Sequence, residues 1–228
     1  MRTNDPNYPQ LLGIAAALGS LVHEVVFVGG STAGLLLTDP LADAVRATRD
    51  VDAIVDAASL ARFHEVEAQL EARGFARDID SGIVCRWKHG VSGIALDLMP
   101  IDPRVLGFAN RWYPEAVESA MEVRLTQDLV IRIASAPAFV ATKFEAFSTR
   151  GRNDLMSSHD LEDILNVIDG RPQIELEIEA ATAALRDAVK SAIAKLLRHP
   201  DFENCLPGLV LDADRADEVI ARLRRIAA

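Results

Sequence analysis

The stretch "VFVGGSTAGLL" (residues 26–36) places two glycines and a serine directly after a run of β-branched and aromatic residues. Such a run is typical of a short buried strand, and glycine adopts the backbone angles that tight turns need. We predict a strand that ends at Gly29 and Gly30, with a helix beginning at Ser31. Two interpretations stay open: a plain turn into a helix, or a cradle whose N–H groups and helix dipole hold phosphate.

The next strand-like stretch carries two acids. "DVDAIVD" (residues 50–56) alternates acidic and aliphatic residues, so Asp50 and Asp52 point to one face of a strand. Two carboxylates on one face repel each other and are costly to bury. They therefore lie at a solvated strand end or bind a cation. Asp97, in "IALDLMP" (residues 94–100), adds a third acid on another strand. Together the three carboxylates could bind Mg²⁺, which prefers oxygen ligands, or a pair of metal ions.

The remaining pattern divides the chain into two halves. Strands are also predicted in residues 82–90, 92–100 and 128–135, and a helix in residues 59–75 with Ser59 as its N-cap. From Ala136 onwards the apolar residues recur with helical spacing. We therefore expect an α/β (α+β) fold: a mixed sheet flanked by helices in residues 1–135, followed by a helical domain in residues 136–228.

Composition limits the classes of function. The chain has 228 residues, half of them hydrophobic, and a net charge of −10, which argues against a surface that coats nucleic acid. Two distant cysteines, Cys85 and Cys205, cannot build a disulfide framework and fit a reducing cytoplasm. The apolar stretch Leu11–Val22 is too short to span a bilayer. We expect it to be a first helix, the alternative being the apolar part of a signal peptide.

These features together resemble a known family. A strand, "GGS", a helix, an Asp-x-Asp strand and a third Asp on a later strand resemble the DNA polymerase β-like nucleotidyltransferase fold. "RATRDVDAIV" (residues 46–55) is similar to the Arg-x-Thr-x-Asp-hydrophobic-Asp segment of the AbiEii-type nucleotidyltransferases, the toxin components of certain bacterial toxin–antitoxin pairs. "TKFEAFSTRGRNDLMSSHDLEDI" (residues 142–164) is similar to the later motif of that group. The resemblance covers about residues 25–168.

The resemblance implies an enzyme that transfers a nucleoside monophosphate from a nucleoside triphosphate (NTP) to an acceptor. The acceptor would be RNA such as tRNA, a protein or a small molecule, and an antitoxin protein would be a partner. It implies that Mg²⁺ or Mn²⁺ is the cofactor, bound by the three acids. The catalytic residues it implies are Asp50, Asp52, Asp97 and Lys143. The nucleotide-binding residues it implies are Gly29, Gly30, Ser31, Arg150, Asp160 and Asp163.

Alternatives remain for the later residues and for the function. Lys143 lies among aromatic residues, so it either snorkels from an apolar face or reaches toward nucleotide phosphate. Asp160 and Asp163 either favour the dipole at a helix start or position Lys143 and the acceptor. Arg150 either grips triphosphate or belongs to a surface loop. The alternative to an enzyme is a non-catalytic nucleotide sensor with the same fold.

Overall fold

The computed structural model describes residues 5–40, 42, 45–57, 59–210 and 212–228. The chain forms two compact units. The first, here called the sheet unit, comprises Pro6–Thr32 and Ala47–Ser135. The second, the helical unit, comprises Asp5, Ala33–Arg46 and Ala136–Ala228. The chain therefore changes unit at Ala136, and the earlier segment Ala33–Arg46 also belongs to the helical unit.

Seven strands form one mixed sheet within the described part of the chain. They are β1 (Val25–Val28), β2 (Asp50–Val55), β3 (Phe75–Arg77), β4 (Arg86–His89), β5 (Ala95–Pro100), β6 (Met121–Arg124) and β7 (Val130–Ile133). Their order is β3-β4-β5-β2-β1-β7-β6. The pairs β2–β5 and β1–β7 are parallel, and the other neighbours are antiparallel. The predicted α+β class with a mixed sheet is confirmed. The short edge strands β3 and β6 lie outside the strands that the pattern predicts.

Eleven α-helices are found in the described residues. They are α1 (Tyr8–Leu18), α2 (Ala33–Leu36), α3 (Leu60–Ala72), α4 (Pro103–Leu106), α5 (Tyr113–Glu118), α6 (Ala136–Ser148), α7 (His159–Gly170), α8 (Ile174–Ala180), α9 (Ala183–Leu197), α10 (Phe202–Cys205) and α11 (Ala216–Ala227). In the sheet unit, α3 begins as predicted, because the Ser59 hydroxyl accepts a hydrogen bond from the backbone N–H of Arg62. None of the helices in the described ranges is both long and apolar enough to cross a membrane.

The central strands of the sheet explain where the acids lie. All four residues of β1 are buried, as expected for a strand with neighbours on both sides. In β2 the side chains at Asp50 and Asp52 are half-buried, whereas Val51 and Ala53 are fully buried. The acids and the aliphatic residues therefore face opposite sides of the sheet, as the alternation predicts.

In the helical unit, the segment after α2 is tied to the end of α7. The carbonyl of Gly170 accepts hydrogen bonds from the backbone N–H groups of Thr38 and Asp39, both 3.0 Å. The buried Arg171 donates from Nη1 to the carbonyl of Leu36 over 2.6 Å. A Cβ on Gly170 would lie 2.9 Å from the Cβ of Ala42, so only glycine permits this close approach. The early segment is thus fixed by residues far along the chain.

Candidate functional site

The glycine turn that follows β1 comes into close contact with the first metal-ligand candidates. Gly29 has φ +71°, a conformation that favours glycine. A Cβ on Gly29 would lie 2.8 Å from Cγ of Asp52 and would overlap one of its carboxylate oxygens. The absence of a side chain at Gly29 is therefore what leaves room for the Asp52 carboxylate. A plain turn would need glycine only for its backbone angles, whereas here the lack of a side chain is needed as well.

The residues after Gly29 turn back toward β1. Gly30 and Ser31 belong to the 3₁₀ turn Gly30–Thr32, and the Ser31 side chain is completely buried. Its hydroxyl lies 3.5 Å from the carbonyl of Val28, while the Thr32 hydroxyl donates to the carbonyl of Gly29 over 2.9 Å. The helix predicted after Ser31 is only the four residues of α2. Since a helix dipole grows with the number of aligned peptides, α2 contributes little to anion binding.

Buried Asn7 holds this turn and the approach to β2 together. Its Oδ1 accepts a hydrogen bond from the backbone N–H of Thr48 over 2.7 Å, and its Nδ2 lies 3.5 Å from the carbonyl of Gly30. Thr48 stands two residues before Asp50 and donates from its hydroxyl to the Asp50 carbonyl over 3.1 Å. The sequence pattern gave no indication of Asn7, because its partners lie far from it in the chain.

The three acids meet on one face of the sheet. β2 and β5 are parallel neighbours, and Asp52 is in register with Asp97. Residues in register on adjacent strands point to the same side, and Asp50 shares that side with Asp52. Asp97 is buried, with 8% of its surface exposed. The structure therefore brings together the two acids of one strand and the acid of the next.

Arg86, a residue that the sequence analysis did not single out, lies among these acids. It stands on β4 in register with Asp97. Its Nε donates to Asp97 Oδ1 over 2.7 Å and its Nη2 to Asp97 Oδ2 over 2.8 Å. The same Nη2 also forms an ion pair with Asp50. Hydrogen bonding to Asp97, together with the charges of Asp97 and Asp50, outweighs burial and raises the pKa of Arg86. One guanidinium thus bridges acids from two strands.

The thiol of Cys85 precedes Arg86 in the chain and is buried. Burial raises the pKa of Cys85 to about 12, and the charges of Asp97 and Asp52 add to that effect. Arg86 pairs with two of the three carboxylates on this face, Asp50 and Asp97. Carboxylates gathered on one face attract cations.

The residues fit a divalent ion in donor type. Carboxylate oxygens are the ligands that Mg²⁺ and Mn²⁺ prefer, and the bare backbone of Gly29 leaves room for one of them. Asp50 and Asp97, however, are bonded to Arg86. Among the described residues, no group of three or more His, Cys, Asp or Glu side chains is arranged to hold a metal ion as it stands. The acids therefore match a metal ion in donor type only, and a metal site here stays a prediction.

The helical unit contains a second cluster of predicted residues. Lys143 on α6 is buried, and its Nζ donates to Asp160 Oδ1 over 2.9 Å and to Asp163 Oδ2 over 2.7 Å, both on α7. Lys143 does not snorkel, the first of its two interpretations, because only 8% of its side chain is exposed and its ammonium is paired. Asp160 and Asp163 fix the position of that ammonium. Their roles toward nucleotide and acceptor, and the catalytic role of Lys143, stay predictions.

Charge pairing sets the protonation of this second cluster. Burial alone would lower the pKa of Lys143, but the charges of Asp163 and Asp160 outweigh it and the pKa is raised. Burial likewise opposes ionisation of Asp160. Its pKa is nevertheless lowered, by Lys143 and by hydrogen bonds from Arg150 of 3.1 and 3.2 Å. Arg46 lies 3.8 Å from Asp163. Lys143 and Asp160 are therefore both charged at neutral pH.

No protein-family model matches the chain, and a search of the curated proteins likewise finds no match.

Proposed function

We propose that this protein is a metal-dependent nucleotidyltransferase, which transfers a nucleoside monophosphate from an NTP to an acceptor with release of pyrophosphate. The observation that carries the proposal is the register of Asp52 with Asp97 on adjacent parallel strands, with Asp50 on the same face. Carboxylates gathered in this way are costly unless a cation neutralises them. A cluster of this kind is suited to Mg²⁺ or Mn²⁺ carrying a phosphate ligand.

In the proposed reaction, the acceptor hydroxyl attacks the α-phosphorus of the NTP. The bond from the α-phosphorus to the oxygen that bridges it to the β-phosphate breaks, and pyrophosphate leaves. The ion bound by Asp50, Asp52 and Asp97 would supply positive charge next to the phosphates. Asp97 would accept the proton of the acceptor hydroxyl. The Gly29–Gly30 backbone and Ser31 would lie beside the triphosphate.

The acceptor and the physiological setting belong to the same proposal. The resemblance to AbiEii-type proteins supports an RNA acceptor such as tRNA, with protein and small-molecule acceptors as the other classes, and an antitoxin protein as partner. The roles that the resemblance gives to Lys143, Arg150, Asp160 and Asp163 in nucleotide binding stay predictions. A cytoplasmic location stays a prediction as well.

The proposal is tested by incubating the protein with each α-labelled NTP, Mg²⁺ and a cell lysate, and separating RNA, protein and small molecules. We expect label in one of the three classes together with pyrophosphate release. Asp52→Asn changes one carboxylate to an amide of the same shape and should reduce transfer at least about 10²-fold, the scale for losing a preorganised electrostatic contact. Asp56→Asn, at an exposed position beyond the end of β2, is the matched control and should transfer normally. Equal transfer by wild type and Asp52→Asn would refute the assignment.

One observation favours a second function, that of a nucleotide sensor. Arg86 already pairs with both Asp50 and Asp97, so these two carboxylates have a cationic partner without a bound metal ion. A sensor would bind a metal–NTP complex, visible as thermal stabilisation, without releasing pyrophosphate in the presence of any acceptor pool. Measuring both quantities on the same sample separates the two functions.

A further inference from the structure

Arg86 and a divalent metal ion would need the same carboxylate oxygens. The guanidinium is bidentate to Asp97 through bonds of 2.7 and 2.8 Å and also pairs with Asp50. Mg²⁺ binds oxygen at about 2.0–2.1 Å and requires near-octahedral geometry. Nitrogen atoms that lie at hydrogen-bond distance from both acids leave no room for an ion that bridges Asp50 to Asp97. The two cations therefore exclude each other.

Arg86 is well suited to hold the acids while no metal is bound. A planar guanidinium matches a carboxylate through two parallel bonds, and it stays charged at every physiological pH. Asp97 is 8% exposed, so without a partner its charge would be strongly disfavoured. The Arg86 side chain is itself 18% exposed, which gives its end a route to solvent when it leaves.

We propose that Arg86 is a built-in cation that occupies the divalent-metal position between Asp50 and Asp97, so that metal binds only when Arg86 swings away. The inference rests on the proposed function, since that function supplies the metal. Part of the binding free energy of the metal is then spent on breaking the Arg86 contacts. Free metal binds weakly as a result, and Asp50 and Asp97 keep a cationic partner without it.

The test measures Mn²⁺ binding, with no nucleotide present, by electron paramagnetic resonance of the free ion and by calorimetry. Arg86→Met removes the competing cation and keeps an apolar stem of similar length. We expect Mn²⁺ to bind about tenfold more tightly, or more, because one charge-assisted hydrogen bond is of that magnitude. Arg86→Lys keeps a charge but loses the bidentate geometry and should give an intermediate affinity.

Arg77 provides the matched control. It stands on the adjacent strand β3, opposite Trp87 in register, so it points to the other side of the sheet from Arg86 and pairs with Glu67. Arg77→Gln removes one positive charge from the same sheet and should leave the Mn²⁺ affinity unchanged. A general electrostatic effect of removing any arginine would tighten binding in both variants.

Each measured Mn²⁺ affinity either supports or overturns the inference. Unchanged or weaker Mn²⁺ binding by Arg86→Met overturns the inference. If Arg86→Met does not tighten Mn²⁺ binding but Asp52→Asn abolishes it, the inference fails while the metal site of the proposed function stands. If no variant binds Mn²⁺, both the metal site and the inference are overturned. If Arg86→Met does not fold, as judged by circular dichroism, then Arg86→Lys decides, and wild-type affinity in that variant counts against the inference.

Discussion

At the scale of single residues, the contact between Gly29 and Asp52 links the backbone turn directly to a site side chain. Gly29 has φ +71°, and a Cβ there would overlap the Asp52 carboxylate. Gly82 has a similar φ of +68°, but a Cβ there would meet nothing within 4 Å. Comparing substitutions at Gly29 and Gly82 therefore separates the free-energy cost of backbone strain from the cost of displacing the Asp52 carboxylate.

We predict that Gly29→Ala lowers the free energy of unfolding more than Gly82→Ala does. Both variants should lose about 1–2 kcal/mol to the left-handed backbone conformation. Gly29→Ala also forces Asp52 to move and should lose about 1–3 kcal/mol more, the range for overpacking. Chemical denaturation of the two variants measures both quantities. Equal losses would show that Asp52 relaxes at no cost.

Some of the residue-scale geometry was accessible from the sequence and some was not. The alternation in residues 50–56 was enough to predict that Asp50 and Asp52 share a face, because the strand period is fixed. Arg86 could not be found in this way. Its role depends on which residue of β5 stands beside it, and register between strands is not encoded in the pattern of either strand alone.

At the scale of secondary-structure elements, α6 and α7 are joined by the buried pairing of Lys143 with Asp160 and Asp163. A buried ion pair contributes little over an apolar pair of the same shape, but removing one partner leaves an uncompensated charge. The helices themselves were predictable from the spacing of apolar residues. Their pairing through Lys143 was one of two interpretations that the sequence left open, because the spacing of apolar residues does not show which polar residues of two helices face each other.

We predict that Lys143→Met lowers the free energy of unfolding by about 3–5 kcal/mol. The matched control is Lys190→Met, because Lys190 forms a half-exposed pair with Glu179 and its loss should cost less than about 1 kcal/mol. The double variant Lys143→Met/Asp163→Asn should lose less than the sum of its single changes, as expected for groups in contact. Additive losses in this cycle would contradict the pairing.

The same cluster predicts how stability depends on acidity. The pKa of Asp160 is lowered in the folded protein from an ordinary value of 3.8. The stability that Asp160 contributes is therefore present above that ordinary value and is lost as the pH falls through the folded-state pKa. We expect the free energy of unfolding to fall less steeply between about pH 5 and pH 3 in Asp160→Asn than in wild type. Parallel curves would exclude a lowered pKa at Asp160.

At the scale of the whole molecule, the two units are interleaved along the chain. The sequence pattern predicts two consecutive halves divided after residue 135, whereas the helical unit also takes Ala33–Arg46 from the first half. Local periodicity cannot indicate such an arrangement. The segment Ala33–Arg46 is hydrogen-bonded to Gly170 and Arg171. The local spacing of apolar residues does not show contacts between residues so far apart in the chain.

We predict that a chain ending at Ser135 exposes apolar surface. Leu36, Leu37 and Val45 are buried and belong to the helical unit, most of which begins at Ala136 and is missing after truncation. The truncated chain should bind the dye ANS strongly and associate at micromolar concentration. A version in which a Gly/Ser linker replaces residues 33–46 should bind less dye. Equal dye binding by the two chains would show that another surface is responsible.

The place of Ala33–Arg46 in the chain also has a consequence for synthesis on the ribosome. The segment emerges before all of Ala47–Ser135, whereas α6 and α7 emerge after it. At about 5–20 residues per second, the nascent segment waits for several seconds with Leu36 and Leu37 uncovered. A chaperone that binds apolar nascent chain would therefore have this segment available for longer than the strands of the sheet unit, whose partners emerge earlier.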